Sequence, residues 1–115
     1  MAHLFYGMSP DPLEMSDRLL AHVKVVISTK LRRNESFTLT IRHLSGDPAG
    51  RTTIWLHSAI PLRFVFDGAE PVELERDVLT RLATSANSSA GILLDLEAES
   101  DVLADSVLAA QLVAA

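Results

Sequence analysis

The chain of 115 residues contains no cysteine, so disulfide bonds and thiolate metal ligands are excluded. No stretch approaches the roughly 20 consecutive apolar residues that cross a bilayer, so no membrane-spanning helix is predicted. The opening MAHLFYGMSPDP has neither the basic start nor the apolar stretch of a secretory signal. Together these absences predict a cytoplasmic protein that does not enter a membrane.

Motifs that carry chemistry are missing as well. The sequence has no GxGxxG, GxxxxGK[ST], GxSxG or HExxH pattern, so motif-borne nucleotide, hydrolase and zinc-protease functions have no support. The 4 histidines are scattered, and no pair of them has a carboxylate beside it at metal-ligand spacing. His43, Ser45 and Asp47 supply the residue types of a triad, but one loop cannot make them converge as a triad does. We therefore predict no catalytic residue, no metal site and no cofactor.

Charge is distributed unevenly along the chain. The net charge is −5, yet residues 1–66 hold eight Lys or Arg against five Asp or Glu, whereas residues 67–115 hold two against ten. Such opposed charge is compatible with head-to-tail self-association or with a basic patch beside an acidic segment. The simpler interpretation is that the acidic residues lie on a solvated helix and tail.

Hydrophobic periodicity divides residues 1–99 into strands and two helices, which we interpret as one domain. Short strands at 3–7 and 13–15 are predicted to form a hairpin. Ser16 is the predicted N-cap of a helix that ends at Asn34. A second helix is predicted over 71–87 and a last strand over 92–96. Residues 100–115 are interpreted as a C-terminal helical or frayed tail.

Three segments in the middle of the chain alternate apolar and polar residues: 36–44, 51–57 and 62–66. We predict that they form an antiparallel meander with one apolar face. The predicted fold class is α+β: an antiparallel sheet of five or six strands with two helices packed on one face. The opposite face would then meet water or a partner.

The only tryptophan, Trp55, falls on the polar side of this predicted meander. An exposed aromatic beside arginines is typical of surfaces that stack bases or anchor a protein. The alternatives are an ordinary solvated face and a face covered by the C-terminal helix, which would make Trp55 part of the core. Strand parity groups Trp55 with several polar residues and no acidic one: Thr38, Thr40, Arg42, Thr53, His57, Arg63 and, as its apolar member, Val65.

Several segments together resemble a known family. They are YG at 6–7, SDRLLAHVKVVISTKLRRNESF at 16–37, RTTIWLHSAIPLRFVF at 51–66 and ANSSAGILL at 86–94. They resemble a group of small uncharacterised actinobacterial proteins with the pattern YG, DDR-LAHL-VI--KLRR-E-F, IWL---IPL-F-F and AN(S)--GL. Here Ser16 stands where that pattern has an acidic residue, and the chain has an added tail after residue 99. Members are often labelled ATP-dependent DNA ligase, which implies an association with DNA.

Ligase catalysis itself is not predicted. Enzymes of that kind resemble one another in a Lys-x-Asp-Gly motif whose lysine takes the adenylate. In this chain Lys24 is followed by VVI and Lys30 by LRR. The family label therefore has no catalytic motif behind it here.

The function predicted from the sequence is a small non-enzymatic binding or accessory module that uses an exposed sheet face to bind a protein or a nucleic acid. One alternative is a homo-oligomeric structural protein, and another is a protein associated with a DNA ligase. The predicted partner-binding residues are Arg42, Trp55, His57 and Arg63, extended by Lys30, Arg32 and Arg33.

Overall fold

A computed structural model describes residues 1–97 of the chain. The predicted C-terminal helix or tail over 100–115 lies outside the described residues. The described elements are β1 (Ala2–Tyr6), β2 (Leu13–Met15), α1 (Asp17–Arg32), β3 (Phe37–Arg42), β4 (Arg51–Leu56), β5 (Leu62–Val65), α2 (Arg76–Ala86) and β6 (Ile92–Asp95).

The strands form two three-stranded sheets, so the predicted single sheet of five or six strands is wrong. In the first sheet β1 lies between β2 and β5 and is antiparallel to both. In the second sheet β3 lies between β4, which is antiparallel to it, and β6, which is parallel. The α+β class and the β1–β2 hairpin are confirmed.

The predicted meander is correct for β3 and β4 but wrong for β5. A turn closed by the Ile60 N–H on the His57 carbonyl follows β4, and the Gly7 N–H then bonds to the Pro61 carbonyl. These bonds direct the chain away from β4, so β5 pairs with β1. In that pairing Phe64 of β5 lies opposite Leu4 of β1. Alternation showed which face of β5 is apolar, but it could not show which strand lies beside it.

Helix α1 begins and ends where its capping residues predict. The Ser16 Oγ accepts a hydrogen bond of 3.1 Å from the Leu19 N–H, and Asp17 occupies the first turn, where a negative charge is favourable. After the helix, Asn34 takes a φ of 59°, the left-handed region that asparagine tolerates better than most residues. The buried side of α1 consists of Leu19, Leu20, His22, Val23, Val26 and Ile27.

Helix α2 is shorter than predicted, because residues 71–75 are not helical. The Glu75 N–H donates a 2.8 Å hydrogen bond to Nε2 of His22, which is fully buried in α1. Nδ1 of His22 lies 2.6 Å from the Arg18 carbonyl oxygen, so the neutral ring donates from Nδ1 and accepts at Nε2. This tertiary contact holds residue 75 against α1, and α2 begins only after it, at Arg76.

The helices and the inner faces of both sheets share one hydrophobic cluster. Most inner side chains of the second sheet are almost completely buried: Phe37, Leu39, Ile41, Leu56, Ile92 and Leu94. Burial of this kind is the dominant favourable contribution to folding, at about 1.5–3 kcal/mol for each large side chain. Thr52 and Ile54 of β4 lie on the same face and are partly buried, so the inner face is mainly apolar, and the other face of the sheet is left for a different role.

Gly91 allows β6 to lie beside β3. Its φ is +73°, and a Cβ at this position would be 2.3 Å from the Thr38 carbonyl oxygen. Real Cβ atoms do not approach a backbone oxygen so closely, and an L side chain also disfavours this φ. The parallel pairing of β6 with β3 thus depends on the absence of a side chain at residue 91.

Candidate binding face on the second sheet

We call the side of the second sheet that points away from the core the outer face. Because directly paired residues on neighbouring strands share a face, the register arranges its side chains in three rows across the sheet. The outer face consists of Thr38, Thr40, Arg42, Arg51, Thr53, Trp55, Leu93 and Asp95.

The first row contains Trp55, whose residue surface is 53% exposed. Trp55 lies directly opposite Thr38, and the next strand contributes no side chain beside Thr38, where Gly91 approaches. The Tyr6 hydroxyl of β1 donates a hydrogen bond to the Trp55 carbonyl. The indole is therefore the one large side chain of this row. The hydrogen bond from Tyr6 ties the Trp55 backbone to the first sheet.

The middle row is neutral. The Thr40 and Thr53 hydroxyl oxygens lie 2.8 Å apart and hydrogen-bond to each other. On the other side of Thr40 lies Leu93 of β6, which is 57% exposed. This row contributes a second exposed apolar side chain to the outer face.

The last row places two arginines side by side. Arg51 lies directly opposite Arg42, and Arg42 lies opposite Asp95, with its Nη1 3.2 Å from Oδ2 of that carboxylate. Among residues 1–97, no hydrogen bond or ion pair engages the Arg51 guanidinium. Like charges directly opposite on a sheet are destabilising, and Asp95 and Glu97 supply negative charge near Arg42. A concavity of about 740 Å³ lies over it, lined in part by Thr40 and Leu93.

The structure separates the predicted partner-binding residues. Trp55 and Arg42 share the outer face, but Arg63 belongs to the first sheet, where its guanidinium carbon lies 4.3 Å from the Phe5 ring centroid. His57 follows the end of β4 and is exposed, with Nδ1 accepting a 3.0 Å hydrogen bond from the Ala59 N–H.

The three cations at the end of α1 also differ from one another. Lys30 has a side chain that is only 12% exposed, and its ammonium group pairs with Glu35 and donates to Asn87 Oδ1, both at 2.9 Å. It therefore ties α1 to the end of α2. Arg32 and Arg33 are exposed.

Sequence reasoning missed three residues of the outer face. Arg51 is four residues before Trp55 and shares its strand parity, so the alternation contained a usable signal. Leu93 and Asp95 could not be placed without knowing that β6 pairs with β3. The expectation of a face without acidic residues is wrong, because Asp95 lies on it.

Three carboxyl groups have a pKa lowered by structural hydrogen bonds. The Gly68 and Asp67 N–H groups lower the pKa of Asp17. The hydrogen bond from Lys30 lowers the pKa of Glu35, and the one from the Ser45 N–H lowers that of Glu97. None of these carboxylates belongs to the outer face, and each shift follows from a bond that fixes a loop or a helix end.

The part of the chain that the structure describes contains no group of three or more His, Asp or Glu side chains that could hold a metal ion. The same residues form no helix with the length and apolar character needed to cross a membrane. The exposed aromatic, aliphatic and guanidinium groups of the outer face can make contacts with another molecule.

Comparison with known proteins gives one match. A family model described as a domain of unknown function, DUF7882, matches residues 1–97. No curated protein and no solved structure matches the chain. The ligase label implied by the resemblance thus stays a prediction. The family match includes every strand and helix described above, and with them the whole outer face. The chain belongs to the DUF7882 family.

Proposed function

We propose that this protein is a non-enzymatic binding module that takes a protein partner on the outer face. The observation that carries the proposal is the exposure of Trp55 and Leu93, at 53% and 57%, on a sheet whose inner face is buried. Large apolar side chains grouped on a surface mark interaction sites, and tryptophan and arginine are the residue types most enriched at binding hot spots.

The chemistry of the outer face favours a protein over a nucleic acid. Nucleic-acid binding relies on several cations that neutralise successive phosphates. Here Arg42 is already paired with Asp95, Arg51 is the one cation of the face with no partner among residues 1–97, and the net charge of the chain is −5. A protein surface with apolar and acidic groups complements this arrangement better.

The test compares Trp55→Ala with Met8→Ala, since Met8 is 95% exposed and lies outside the outer face. Full-length wild type and both variants are cross-linked in lysate of the producing organism, and the captured proteins are quantified. We expect proteins captured by wild type and by Met8→Ala to be depleted with Trp55→Ala. Equal capture by all three proteins would remove the outer face as the binding surface.

Two further measurements separate the competing partners. Sedimentation of the purified chain reports self-association, and loss of a dimer in Trp55→Ala would assign the face to a second copy. Anisotropy of a labelled oligothymidine reports nucleic-acid binding. Salt-sensitive oligonucleotide binding that Trp55→Ala abolishes would contradict the proposed protein partner.

A further inference from the structure

We propose that Arg51 and Arg42, facing each other across β4 and β3, form a carboxylate-binding site that receives an acidic side chain of the protein partner. This inference rests on the proposed function and names the chemistry that the partner must present. It concerns one end of the outer face, the row that ends at Asp95.

The register of β3 and β4 places the two arginines side by side. Arg51 and Arg42 are directly paired, and side chains in such pairs have Cβ atoms about 4.5–5.5 Å apart on the same face. Like charges paired across two strands repel each other. An anion bound by both side chains offsets this repulsion and accepts hydrogen bonds from both guanidinium groups.

The two arginines of the row differ in their ion pairs. Asp95 approaches Arg42 to 3.2 Å, and the Glu97 carboxylate also interacts electrostatically with Arg42, whereas Arg51 has no ion pair among residues 1–97. A single carboxylate from a partner is enough to pair with Arg51. A chain of phosphates would bring further negative charge close to Asp95, where like charges repel.

An apolar side chain borders the two arginines. The concavity over the row is also lined by Leu93, which is 57% exposed. Its next neighbour in the middle row is the Thr40–Thr53 pair, whose hydroxyls bond to each other. The site thus combines two paired arginines with an apolar neighbour, which suits an acidic residue flanked by an aliphatic one in a peptide.

The probe is an acetylated leucine–glutamate–leucine amide, with leucine–glutamine–leucine as its uncharged match. Both are titrated into the full-length, ¹⁵N-labelled chain, and the arginine Nε–Hε signals are followed by NMR. We expect the glutamate peptide to shift the Arg51 and Arg42 signals, while Arg76, exposed at the start of α2, stays in place.

Variants of the full chain sharpen the measurement. Arg51→Gln is expected to weaken binding of the glutamate peptide roughly tenfold, since hydrogen bonds to a charged group are lost. Arg76→Gln removes the same charge elsewhere and should leave the affinity unchanged. Arg51→Lys keeps the charge without the planar fork and should restore part of the affinity.

Three results would overturn the carboxylate site. Equal shifts with the glutamine peptide would show that binding is apolar, and would leave the proposed binding face intact. Tighter binding of inorganic phosphate than of the glutamate peptide would assign the arginines to phosphate groups. Equal loss of affinity in Arg51→Gln and Arg76→Gln would reduce the effect to net charge.

Discussion

The two sheets of this protein differ in the side that points away from the core. On the first sheet most side chains that point outward contact one another: His3 Nε2 lies 3.4 Å from the Glu14 carboxylate, and Arg63 covers the Phe5 ring, while Val65 is 38% exposed. On the second sheet, Trp55 and Leu93 are exposed, and Arg51 has no partner among residues 1–97.

This contrast separates stabilising groups from binding groups. Side chains that find partners within the fold contribute to its stability, whereas exposed aromatic and cationic groups without partners gain their contacts only from another molecule. Mutations on the first sheet should therefore change stability, and mutations on the outer face should mainly change binding.

The largest effect is expected where the second sheet itself depends on one residue. Gly91→Ala should lower the free energy of unfolding by about 3 kcal/mol or more, from an unfavourable positive φ and a steric clash with β3. Gly50→Ala is the matched control, because a Cβ there meets nothing within 4 Å. Urea denaturation measures both variants, and equal stabilities would mean that β6 does not lie where the outer face requires.

A buried and an exposed histidine should contribute very differently to the stability of the fold. His22→Ala should cost about 3 kcal/mol, because it opens a cavity and leaves the Glu75 N–H without its acceptor. His57→Ala removes an exposed ring and should cost less than about 0.5 kcal/mol. Thermal or urea unfolding distinguishes them, and a mild His22→Ala variant would argue against the tertiary contact that shortens α2.

One arginine from the solvent side of each sheet allows the contributions of the two sheets to stability to be compared. Arg63→Ala should destabilise the protein by about 0.5–1 kcal/mol through loss of its contact with the Phe5 ring. Arg51→Ala should be neutral or slightly stabilising at low salt, because it removes a like charge opposite Arg42. Unfolding experiments at two salt concentrations measure the difference. A destabilised Arg51→Ala variant would mean that this arginine has a partner in the folded chain.

A smaller, pH-dependent effect belongs to the region beside the first sheet. The pKa of Asp17 is lowered from 3.8 by the N–H groups of Gly68 and Asp67, which follow β5. Its contribution is therefore complete above pH 3.8 and is lost as the pH falls through the lowered pKa. Asp17→Asn should reduce stability at neutral pH and flatten its acid dependence, whereas Asp11→Asn should preserve the wild-type profile.

Local sequence patterns predicted where helices and strands lie better than they predicted which strands pair with each other. Ser16 and Asn34 bounded α1 because capping acts within one turn of the helix. Alternation through RTTIWL predicted that Trp55 and the buried Leu56 lie on different faces of the sheet, because successive side chains of a strand point to opposite faces.

What the sequence did not show depends on contacts distant along the chain. The partner strand of β5 is β1, and the partner of β3 on its second side is β6, some 50 residues later. Neither pairing has a local signature, so Asp95 and Leu93 could not be assigned to the face of Trp55. The start of α2 was missed for the same reason, since it depends on the bond between Glu75 and His22.

The most direct test of the account is collisional quenching of Trp55 fluorescence in the full-length protein, because this is the only tryptophan. An indole on an open face should emit like a solvated tryptophan and be quenched by both iodide and caesium. A blue-shifted emission that resists both ions would show that Trp55 is covered, and the outer face would then be unable to receive a partner.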